Sequence, residues 1–495
     1  MTTSDPNPVL VAFQRFGLGA RPGDYGKAAG DPRGFLKAEL RQGDIALISR
    51  DNAAFDLPSS SAALQASMDA GFERQREKAA QAALAQPAMA ALPGAPPQAG
   101  AKPGPMPAAA MPPAGAAPAA PPEPPVETRL FRAEAKARFD KALAVEAGFV
   151  ERLVYFWSNH FCISVAKESP VRAVAGAFER EAIRPFVLGR FADMLMAVEH
   201  HPAMLLYLDN QQSVGPDSRA GQNRRRGLNE NLAREILELH TLGVDGGYGQ
   251  ADVTSFARIL TGWSMAGRDG RLGEPGTFVF NASAHEPGEE VVLGKAYAIG
   301  GMGQAETVLN DIARHPATAH HIATKLARHF IADTPPPAAV ARLAQVFTDK
   351  DGDLRALAVA LVDTPEAWSA PFTKMRTPVE YAMAVRRTVG PGAGSDPNQT
   401  LGWLAALGEP LWQPPGPNGF SDVAAAQASP EGMKTRFDIA WQAARQAKAI
   451  ANPVAVLDAV IGSSASPETR RTVERAASEQ QGLALLMMAP EFQRR

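Results

Sequence analysis

The chain has 495 residues, of which 45% are hydrophobic and 21% charged, and its formal net charge is −2. This length suits one large domain or two to three average ones, and the near-neutral charge excludes a strong overall field towards nucleic acid or anionic membranes. The single cysteine, Cys162, excludes an intrachain disulfide.

Targeting and surface-binding signals are weak throughout the sequence. The N-terminus lacks the basic region and long apolar stretch of a signal peptide, and no apolar run approaches the roughly 20 residues of a membrane helix. A run of three arginines at 224–226 lies among Gly, Asn and Gln, a setting more typical of a solvated loop than of a phosphate site. We therefore expect a cytoplasmic protein with no membrane segment and no nucleic-acid partner.

The N-terminal part of the chain divides into three segments by composition. Residues 1–85 have mostly helical patterns and are expected to pack on the main body. Residues 86–127 change sharply to Ala, Pro, Gly and Met, and their proline clusters cannot hold a helix or a sheet ladder. Because few side chains there offset the entropy of ordering, we predict a flexible insertion at 86–127 before a main helical domain at 128–495.

The main domain has mostly helical patterns. Residues 127–248 and 251–264 predict helices, whereas 278–280 and 291–294 are short β-type runs around a polar loop and predict one small hairpin near 277–297. Helices are predicted again at 304–314, 317–332, 337–348, 353–364 and 378–389, and a Pro-rich stretch follows at 411–420. The predicted fold is mainly α, with one large multi-helix body.

The predicted helix at 227–243 places a carboxylate on its apolar face. At about 100° per residue, Leu228, Leu232 and Leu242 gather on one arc, and Glu235 falls inside that arc. Asn231 and Glu238 lie at its edges, and Gly243 suits a left-handed C-terminal cap. A buried ionised carboxylate costs several kcal/mol unless it is paired or bound to a cation, so Glu235 is expected to have a partner.

Two kinds of partner for Glu235 are compatible with the sequence. One is a structural ion pair with Arg184, Arg258 or Lys325, which would lock helices together. The other is a metal ion, or a proton shared with histidine. The ion pair is the commoner of the two arrangements. Polar Asn231 and Glu238 beside Glu235 support the second, because polar groups clustered on an apolar face suggest a lined cavity.

Histidine, the side chain best suited to proton transfer near neutral pH, is confined to the middle of the chain. All nine histidines lie between His160 and His329. Asn159 and His160 stand between large aromatic residues and are expected to be partly buried, either as satisfied core groups or as site residues. His200 and His201 are expected at helix ends. Cys162 belongs to no motif and is expected to pack.

A further group of basic residues lies on the predicted helix at 317–332. Ala319, Ile322, Leu326 and Phe330 share an apolar arc. His321, Lys325 and Arg328 share the opposite arc, which is usually a solvated face. If that arc faces a cleft instead, it predicts an anion-binding site with Lys325 and Arg328 as binding residues.

The sequence resembles the bacterial DUF1800 family (domain of unknown function 1800). The matching motifs are RFGLGARPG at 15–23, WSNHF at 157–161, AIRP at 182–185, HPAML at 201–205, the segment 227–248, RILTGW at 258–263, HPATA at 315–319 and PPGP at 414–417. The resemblance implies a mainly helical fold and supplies no established activity. It also implies a possible partner, an alkaline-phosphatase-like (DUF1501) protein, and export of many members.

Two functions follow from these patterns. The leading hypothesis is an enzyme-like polar pocket. Glu235, Glu238, His160 and Asn159 would be catalytic, Asn231, Lys325 and Arg328 would bind, and Glu235, Glu238, His240 and His285 would hold a divalent transition metal such as zinc, manganese or iron. The pocket would perform metal-assisted hydrolysis or, without metal, acid/base chemistry by a glutamate of raised pKa. The alternative is a non-catalytic helical scaffold that binds a partner.

Overall fold

The computed structural model describes residues 6–48, 57–85, 123–223, 227–390, 396–447 and 452–495. The arginines at 224–226, and the insertion predicted at 86–127 up to residue 122, lie outside these ranges. Residues 126 and 127 already belong to a helix. Among the described helices, none is long and apolar enough to cross a lipid bilayer.

Twenty-four α-helices make up most of the described residues and confirm the mainly α prediction. The helices in the first half of the chain are α1 (Pro8–Val11), α2 (Tyr25–Ala28), α3 (Pro32–Leu40), α4 (Ser60–Ala85), α5 (Val126–Ala144), α6 (Phe149–His160), α7 (Ser169–Phe178), α8 (Phe191–His200), α9 (Pro202–Tyr207), α10 (Asn231–Glu235) and α11 (Gln250–Leu260). The others are α12 (Met302–Ala313), α13 (Pro316–Phe330), α14 (Pro337–Asp349), α15 (Leu354–Asp363), α16 (Glu366–Ser369), α17 (Pro378–Val389), α18 (Pro397–Ala406), α19 (Ala424–Gln427), α20 (Pro430–Gln446), α21 (Pro453–Val460), α22 (Pro467–Glu474), α23 (Glu479–Met488) and α24 (Pro490–Gln493).

Helix starts follow the local sequence closely. The five helices predicted between 304 and 389 correspond to α12–α15 and α17, with ends that agree within two residues. Proline occupies the first turn of α13, α14 and α17, where its missing N–H leaves no bond unmade and its fixed φ suits a helix. His201 and His315 cap α9 and α13 by accepting from backbone N–H groups, and His200 ends α8, so the helix-end roles predicted for His200 and His201 are confirmed.

The described residues form two small hairpins, where the sequence predicted one. Strand β1 (Trp263–Met265) pairs with β2 (Phe278–Phe280), and β3 (Glu290–Val292) pairs with β4 (Lys295–Tyr297), both antiparallel. The cause is a two-residue turn in which Leu293 and Gly294 both have positive φ, 51° and 74°. This turn type closes a tight hairpin, so β3 pairs with the residues that follow it and leaves β2 to pair with β1.

Three short π-helical segments interrupt the α-helical pattern. They are Ala12–Phe16, Glu179–Ile183 and Ile236–His240, and they continue α1, α7 and α10 respectively. A π segment widens the turn and is frequent at functional sites. Because the helix widens directly after Glu235, the 100° wheel that placed this residue among leucines does not apply beyond it.

The apolar residues form two separate cores. The first joins residues from the N-terminal helices through α16, and the second joins α17–α24 to Ala135, Phe139 and Ala142 of α5. Helix α6 lies between them, since Phe156 packs in the first core and its neighbour Tyr155 in the second. The C-terminal end of α6 therefore reaches the boundary between the two cores.

Candidate active site

A cavity of about 320 Å³ lies at this boundary. Its volume falls in the range of small-molecule sites, roughly 300–1,000 Å³. The walls come from α6 and the residues after it, from α13, from the start of α17 and from a Pro-rich segment that we define as residues 404–423. Asn418 and Ser421 line the cavity and are exposed, so they mark its mouth.

Asn159 fastens the Pro-rich segment to α6. Its side-chain Nδ2 donates to the Phe420 carbonyl at 3.0 Å, and its Oδ1 accepts from the Phe420 N–H at 2.8 Å. A Cβ on Gly419, whose φ is +77°, would lie 2.5 Å from the Asn159 carbonyl oxygen. Only glycine allows this approach. Asn159 lines the cavity as predicted, but both ends of its amide are engaged in holding the wall.

The same segment is held at its other end. Ser164 Oγ donates to the Pro414 carbonyl at 3.1 Å, and Val165 N–H donates to the Trp412 carbonyl at 2.8 Å. Trp412 has a φ of +50°, which is an uncommon conformation for a residue with a Cβ. Its indole N–H donates to Glu179 at 3.2 Å. A strained residue is retained because these contacts fix the wall in place.

His160 presents a basic nitrogen that carries no proton. Its Nε2 lies 3.1 Å from the His240 carbonyl oxygen, and a carbonyl only accepts, so Nε2 must carry the hydrogen. Nδ1 is therefore the lone-pair nitrogen, and no group in the described chain pairs with it. Burial, aided by Lys325, holds the pKa of His160 well below its usual range, so the ring is neutral at pH 7.

Three of the nine histidines meet beside the cavity. The ring of His160 lies 6.2 Å from the rings of His240 and His321. His321 Nε2 donates to the Leu239 carbonyl at 3.2 Å, so two histidines satisfy carbonyls at the end of the π segment, which a helix terminus leaves unpaired. His240 is buried and its Nδ1 lies 2.8 Å from the Glu199 carboxylate.

Lys325 and Arg328 lie one turn apart on α13, and both line the cavity. Of the two alternatives considered for this face of α13, solvent or a cleft, the structure shows Lys325 and Arg328 facing a cleft. Within the described ranges, Lys325 makes no ion pair or hydrogen bond, and Arg328 donates only from Nε to the Asp333 carbonyl at 3.3 Å. Burial lowers the pKa of Lys325 to about 8.

Glu409 supplies a carboxyl group to the same cavity. Its Oε1 accepts a hydrogen bond from Gln427 Nε2 at 2.6 Å. Burial raises the pKa of Glu409 to about 7, and the negative charges of Glu380 and Asp422 contribute to the increase. The protonated and the ionised form of Glu409 are therefore both accessible near neutral pH, which suits a group that donates and accepts protons.

The other carboxylates of the cavity are saturated by ion pairs. Asp422 binds His329 at 2.9 Å and Arg495 at 3.1 Å, while Glu380 binds Arg152 at 3.0 Å and Arg495 at 2.6 Å. Burial opposes the charge of Glu380, but the two guanidinium groups outweigh it and lower its pKa to about 2. Arg152 also binds the second ring nitrogen of His329 at 3.2 Å. Neither nitrogen of this histidine is therefore left to accept a proton.

A second ion network supports the opposite wall. Glu179, on the second π segment, binds Arg138 at 2.9 Å and Arg184 at 3.0 Å, and it accepts from Ser158 at 2.9 Å. Arg184 also binds Glu151 at 2.8 Å. Every carboxylate oxygen here has a donor, so we assign this network to the stability of α6 and α7.

Cys162 lines the cavity without the properties of a nucleophile. Its thiol donates to the Pro417 carbonyl at 3.2 Å. Burial raises the pKa of Cys162 to about 12, so the reactive thiolate is scarce at neutral pH. The position agrees with the packing role expected from the sequence.

The residues predicted around Glu235 lie outside the cavity lining. Glu235 is half-buried and has no ion pair or hydrogen bond in the described chain, and burial raises its pKa. Glu238 lies 3.4 Å from the Tyr248 hydroxyl, and Asn231 is exposed. The helix begins at Asn231, so Leu228 does not share its face, and Glu235 lies at a partly solvated position that does not require a partner.

The basic partners considered for Glu235 bind elsewhere. Arg184 pairs with Glu151 and Glu179, Arg258 pairs with Glu290 at 3.4 Å, and Lys325 faces the cavity. Among the four residues predicted to hold a metal, His240 Nδ1 binds Glu199 at 2.8 Å and His285 Nδ1 binds the Thr261 carbonyl at 2.9 Å. Over the residues that the structure describes, no three metal-ligating side chains are grouped in a way that holds a metal ion.

Sequence reasoning missed four polar groups of the cavity: Glu380, Glu409, Asp422 and His329. The pattern Thr377-x-x-Glu380 signals a capping box, which is present, but it does not reveal the ion pairs of Glu380. Glu409 and Asp422 lie within the Pro-rich segment, where no periodicity marks a buried face. The sequence offers one signal for these two residues: both are acidic and both stand near prolines in a loop.

A second cavity, of about 630 Å³, is less suited to chemistry. Its buried carboxyl group, Glu39, accepts from the N–H groups of Gly148 and Val150 at 3.2 and 2.8 Å. These bonds cap the N-terminus of α6. Glu39 therefore stabilises a helix N-terminus, whereas Glu409 caps none of the described helices.

Comparison with known proteins gives one match. The sequence model of a family described as "Protein of unknown function (DUF1800)" matches residues 11–494. No curated protein matches the chain, and no solved structure does.

Proposed function

Since the chain belongs to the DUF1800 family, which has no established activity, we propose a function from the cavity itself: an enzyme that performs acid/base chemistry on a small molecule. The proposed pocket is lined by glutamate and histidine, as inferred from the sequence. It is the cavity at the boundary of the two cores, and Glu235 is not part of its lining.

One observation supports this function above the others. Glu409 and His160 line one cavity with complementary protonation states. Glu409, with a pKa raised by burial to about 7, supplies a proton. His160, neutral and with an unpaired Nδ1, accepts one. Groups whose surroundings set their pKa values for different tasks are the usual acid and base of an active site.

A pure scaffold fits the cavity less well. A scaffold is stabilised when its buried polar groups are paired, as they are around Glu179. Lys325 and His160 Nδ1 instead lack partners in the described part of the chain. Unpaired groups of this kind reduce stability and are retained at sites where function requires them.

Acid/base chemistry is also favoured over the metal-assisted alternative. The carboxylates of Glu380 and Asp422 are already bound by arginine, lysine and histidine side chains. His329 has both nitrogens engaged. Glu409 with its raised pKa, His160 Nδ1 and the Cys162 thiol, whose pKa burial also raises, are a poor set for a divalent transition metal, because two of the three do not lose their proton readily.

The test is the consumption of metabolites by the purified chain. A bacterial metabolite extract is incubated with the wild type and with Glu409→Gln, His160→Gln and the exposed control Glu431→Gln, and the mixture is followed by mass spectrometry. We expect at least one compound to be consumed by the wild type and the control, at least about 100-fold more slowly by the two cavity variants, and equally fast with a chelator present. Consumption that is unaffected by both cavity substitutions, or no consumption at all, overturns the proposal.

A further inference from the structure

Resting on the proposed function, we infer that the ligand of this cavity is a small amphipathic organic anion, whose charged group lies between Lys325 and Arg328. The inference names the class of ligand that the acid/base pocket takes. It depends on which charges in the cavity are already neutralised and which are not.

The two cations are free to bind an anion. Lys325 Nζ has no hydrogen bond and no carboxylate within 4.0 Å in the described ranges, and Arg328 uses only Nε, on a carbonyl. The two terminal nitrogens of Arg328 therefore remain as donors, in a fork that fits a carboxylate or a phosphate. Three residues apart on α13, the side chains lie on one face of the helix.

The acidic groups nearby do not neutralise these cations. Asp422 is bound by His329 and Arg495, and Glu380 by Arg152 and Arg495. Lys374 adds a third positive charge, 3.8 Å from Asp422 and 2.7 Å from Asp333. The carboxylates are thus matched by other cations, and the positive charges of Lys325 and Arg328 are left in excess.

Apolar side chains elsewhere in the lining define the body of the ligand. They include Tyr155, Phe156, Ile163, Val379, Leu404 and Leu411. A ligand that fills a cavity of about 320 Å³ with its charge on α13 must place hydrocarbon or an aromatic ring against these side chains. Pockets of this kind bind mainly through apolar contact and take their specificity from a few polar groups.

Calorimetric titration with matched acids and neutral analogues tests the inference. The probes are hexanoate, benzoate, 3-phenylpropionate and phenyl phosphate, each beside its neutral counterpart: hexanamide, benzamide, 3-phenylpropanamide and phenol. We expect at least one acid to bind the wild type at least tenfold more tightly than its counterpart. Tighter binding by phenyl phosphate than by the carboxylates would identify a phosphate ester as the anionic group, and the reverse order a carboxylate.

Matched variants show where the charge binds. Lys325→Met and Arg328→Met should each weaken the best acid at least tenfold, whereas Lys434→Met, which removes an exposed lysine paired with Asp438, should not change its affinity. Circular dichroism confirms that each variant is folded. Equal binding of acids and neutral analogues, or full affinity in both cavity variants, overturns the inference.

The two proposals fail separately. Glu409→Gln removes the proposed acid but leaves both cations, so it should bind the best acid at least as tightly as the wild type. If the chain consumes only neutral or cationic metabolites, the anion inference fails and acid/base catalysis stands. If Glu409→Gln leaves turnover intact while Lys325→Met abolishes acid binding, the reverse holds.

Discussion

The side chain of His160 donates its Nε2 hydrogen to the backbone carbonyl of His240, over 3.1 Å. This bond joins the end of α6 to the π segment that follows Glu235. It also fixes the tautomer of His160, so the nitrogen without a hydrogen is the unpaired one. A backbone carbonyl on another helix therefore determines that Nδ1 is the nitrogen of His160 that can accept a proton.

Replacing Lys325 by methionine should stabilise the protein. Burial holds the pKa of Lys325 near 8 in the folded state, below its ordinary 10.5. The protonated lysine therefore opposes folding fully below about pH 8, and the penalty disappears as the pH rises to about 10.5. Allowing for partial solvation, we expect Lys325→Met to raise the free energy of unfolding by about 1–2 kcal/mol at pH 7. Five groups are coupled to this titration electrostatically: His160, Cys162, His321, Arg328 and Asp422.

The matched control is Lys374→Met. Lys374 also lies near a cavity residue, Asp422, but it pairs with Asp333 at 2.7 Å, and its side chain is 2% exposed. Removing it takes the cation from Asp333, whereas Asp422 keeps Arg495 and His329, so we expect a loss of about 1–3 kcal/mol. Urea unfolding at pH 7 measures both variants. Equal destabilisation by the two substitutions would show that Lys325 is a structural residue.

The stability of Glu409→Gln should depend on pH. The folded-state pKa of Glu409, about 7, lies above its ordinary 4.5 because burial disfavours the charge, so the wild type loses stability as the pH rises from about 4.5 to 7. The neighbouring groups that influence Glu409 are Gln427, Glu380, Asp422 and Arg436. We expect Glu409→Gln to match the wild type at pH 4.5 and to exceed it by about 2 kcal/mol at pH 8. Melting curves at the two pH values check this, and a constant difference would contradict it.

Glu380→Gln should destabilise the fold strongly. Glu380 is 1% exposed and is bound by two arginines, so its neutralisation leaves buried cations unpaired and should lower the free energy of unfolding by about 3–5 kcal/mol. Since the pKa of Glu380 is lowered from 4.5 to about 2, its contribution is complete above pH 4.5 and is lost as the pH falls to 2. The difference between variant and wild type should shrink over that interval. Asp438→Asn, in an exposed pair with Lys434, should change stability by less than about 0.5 kcal/mol.

The shape of the cavity should depend on the glycine at 419. Gly419→Ala places a Cβ 2.5 Å from the Asn159 carbonyl oxygen and must move the Pro-rich segment. Gly408→Ala is the control, since Gly408 also has a positive φ, +87°, but nothing lies within 4 Å of its added Cβ. Both variants carry the conformational strain of about 1 kcal/mol. Only Gly419→Ala should also abolish ligand binding, measured by calorimetry with the best acid. Equal binding by both variants would show that the wall tolerates displacement.

Much of the fold was accessible from local sequence. Helices α12–α15 and α17 have apolar stripes of helical period and proline or polar caps at their starts, and both signals act within a few residues. The pairing of β1 with β2 was not accessible, because it joins residues across the 12-residue loop 266–277 and depends on the Leu293-Gly294 turn, whose two residues have positive φ. The π segment after Glu235 was equally hidden, since it inserts one residue into a turn without changing the apolar pattern.

The candidate site was predictable only in part. His160, Asn159, Lys325 and Arg328 were named from sequence, and the structure brings them to one cavity. Glu235 was named on a helical wheel drawn over 227–243, whereas the helix begins at Asn231 and widens after Glu235. Glu409 and Asp422 depend on the folding of the Pro-rich segment back against α6, through Asn159 and Gly419, which no local pattern encodes. The DUF1501 partner expected from the family resemblance stays a prediction.

The most direct test compares two glutamates in one assay. Glu409 lies in the cavity with a raised pKa, whereas Glu235 is half-buried and outside the lining. Consumption of the metabolite turned over by the wild type is measured for Glu409→Gln and for Glu235→Gln, at pH 7 and equal protein concentration. We expect the rate of consumption to fall at least about 100-fold in Glu409→Gln and to stay near the wild-type rate in Glu235→Gln. The opposite ranking would contradict it and would return the active site to the helix that ends in His240.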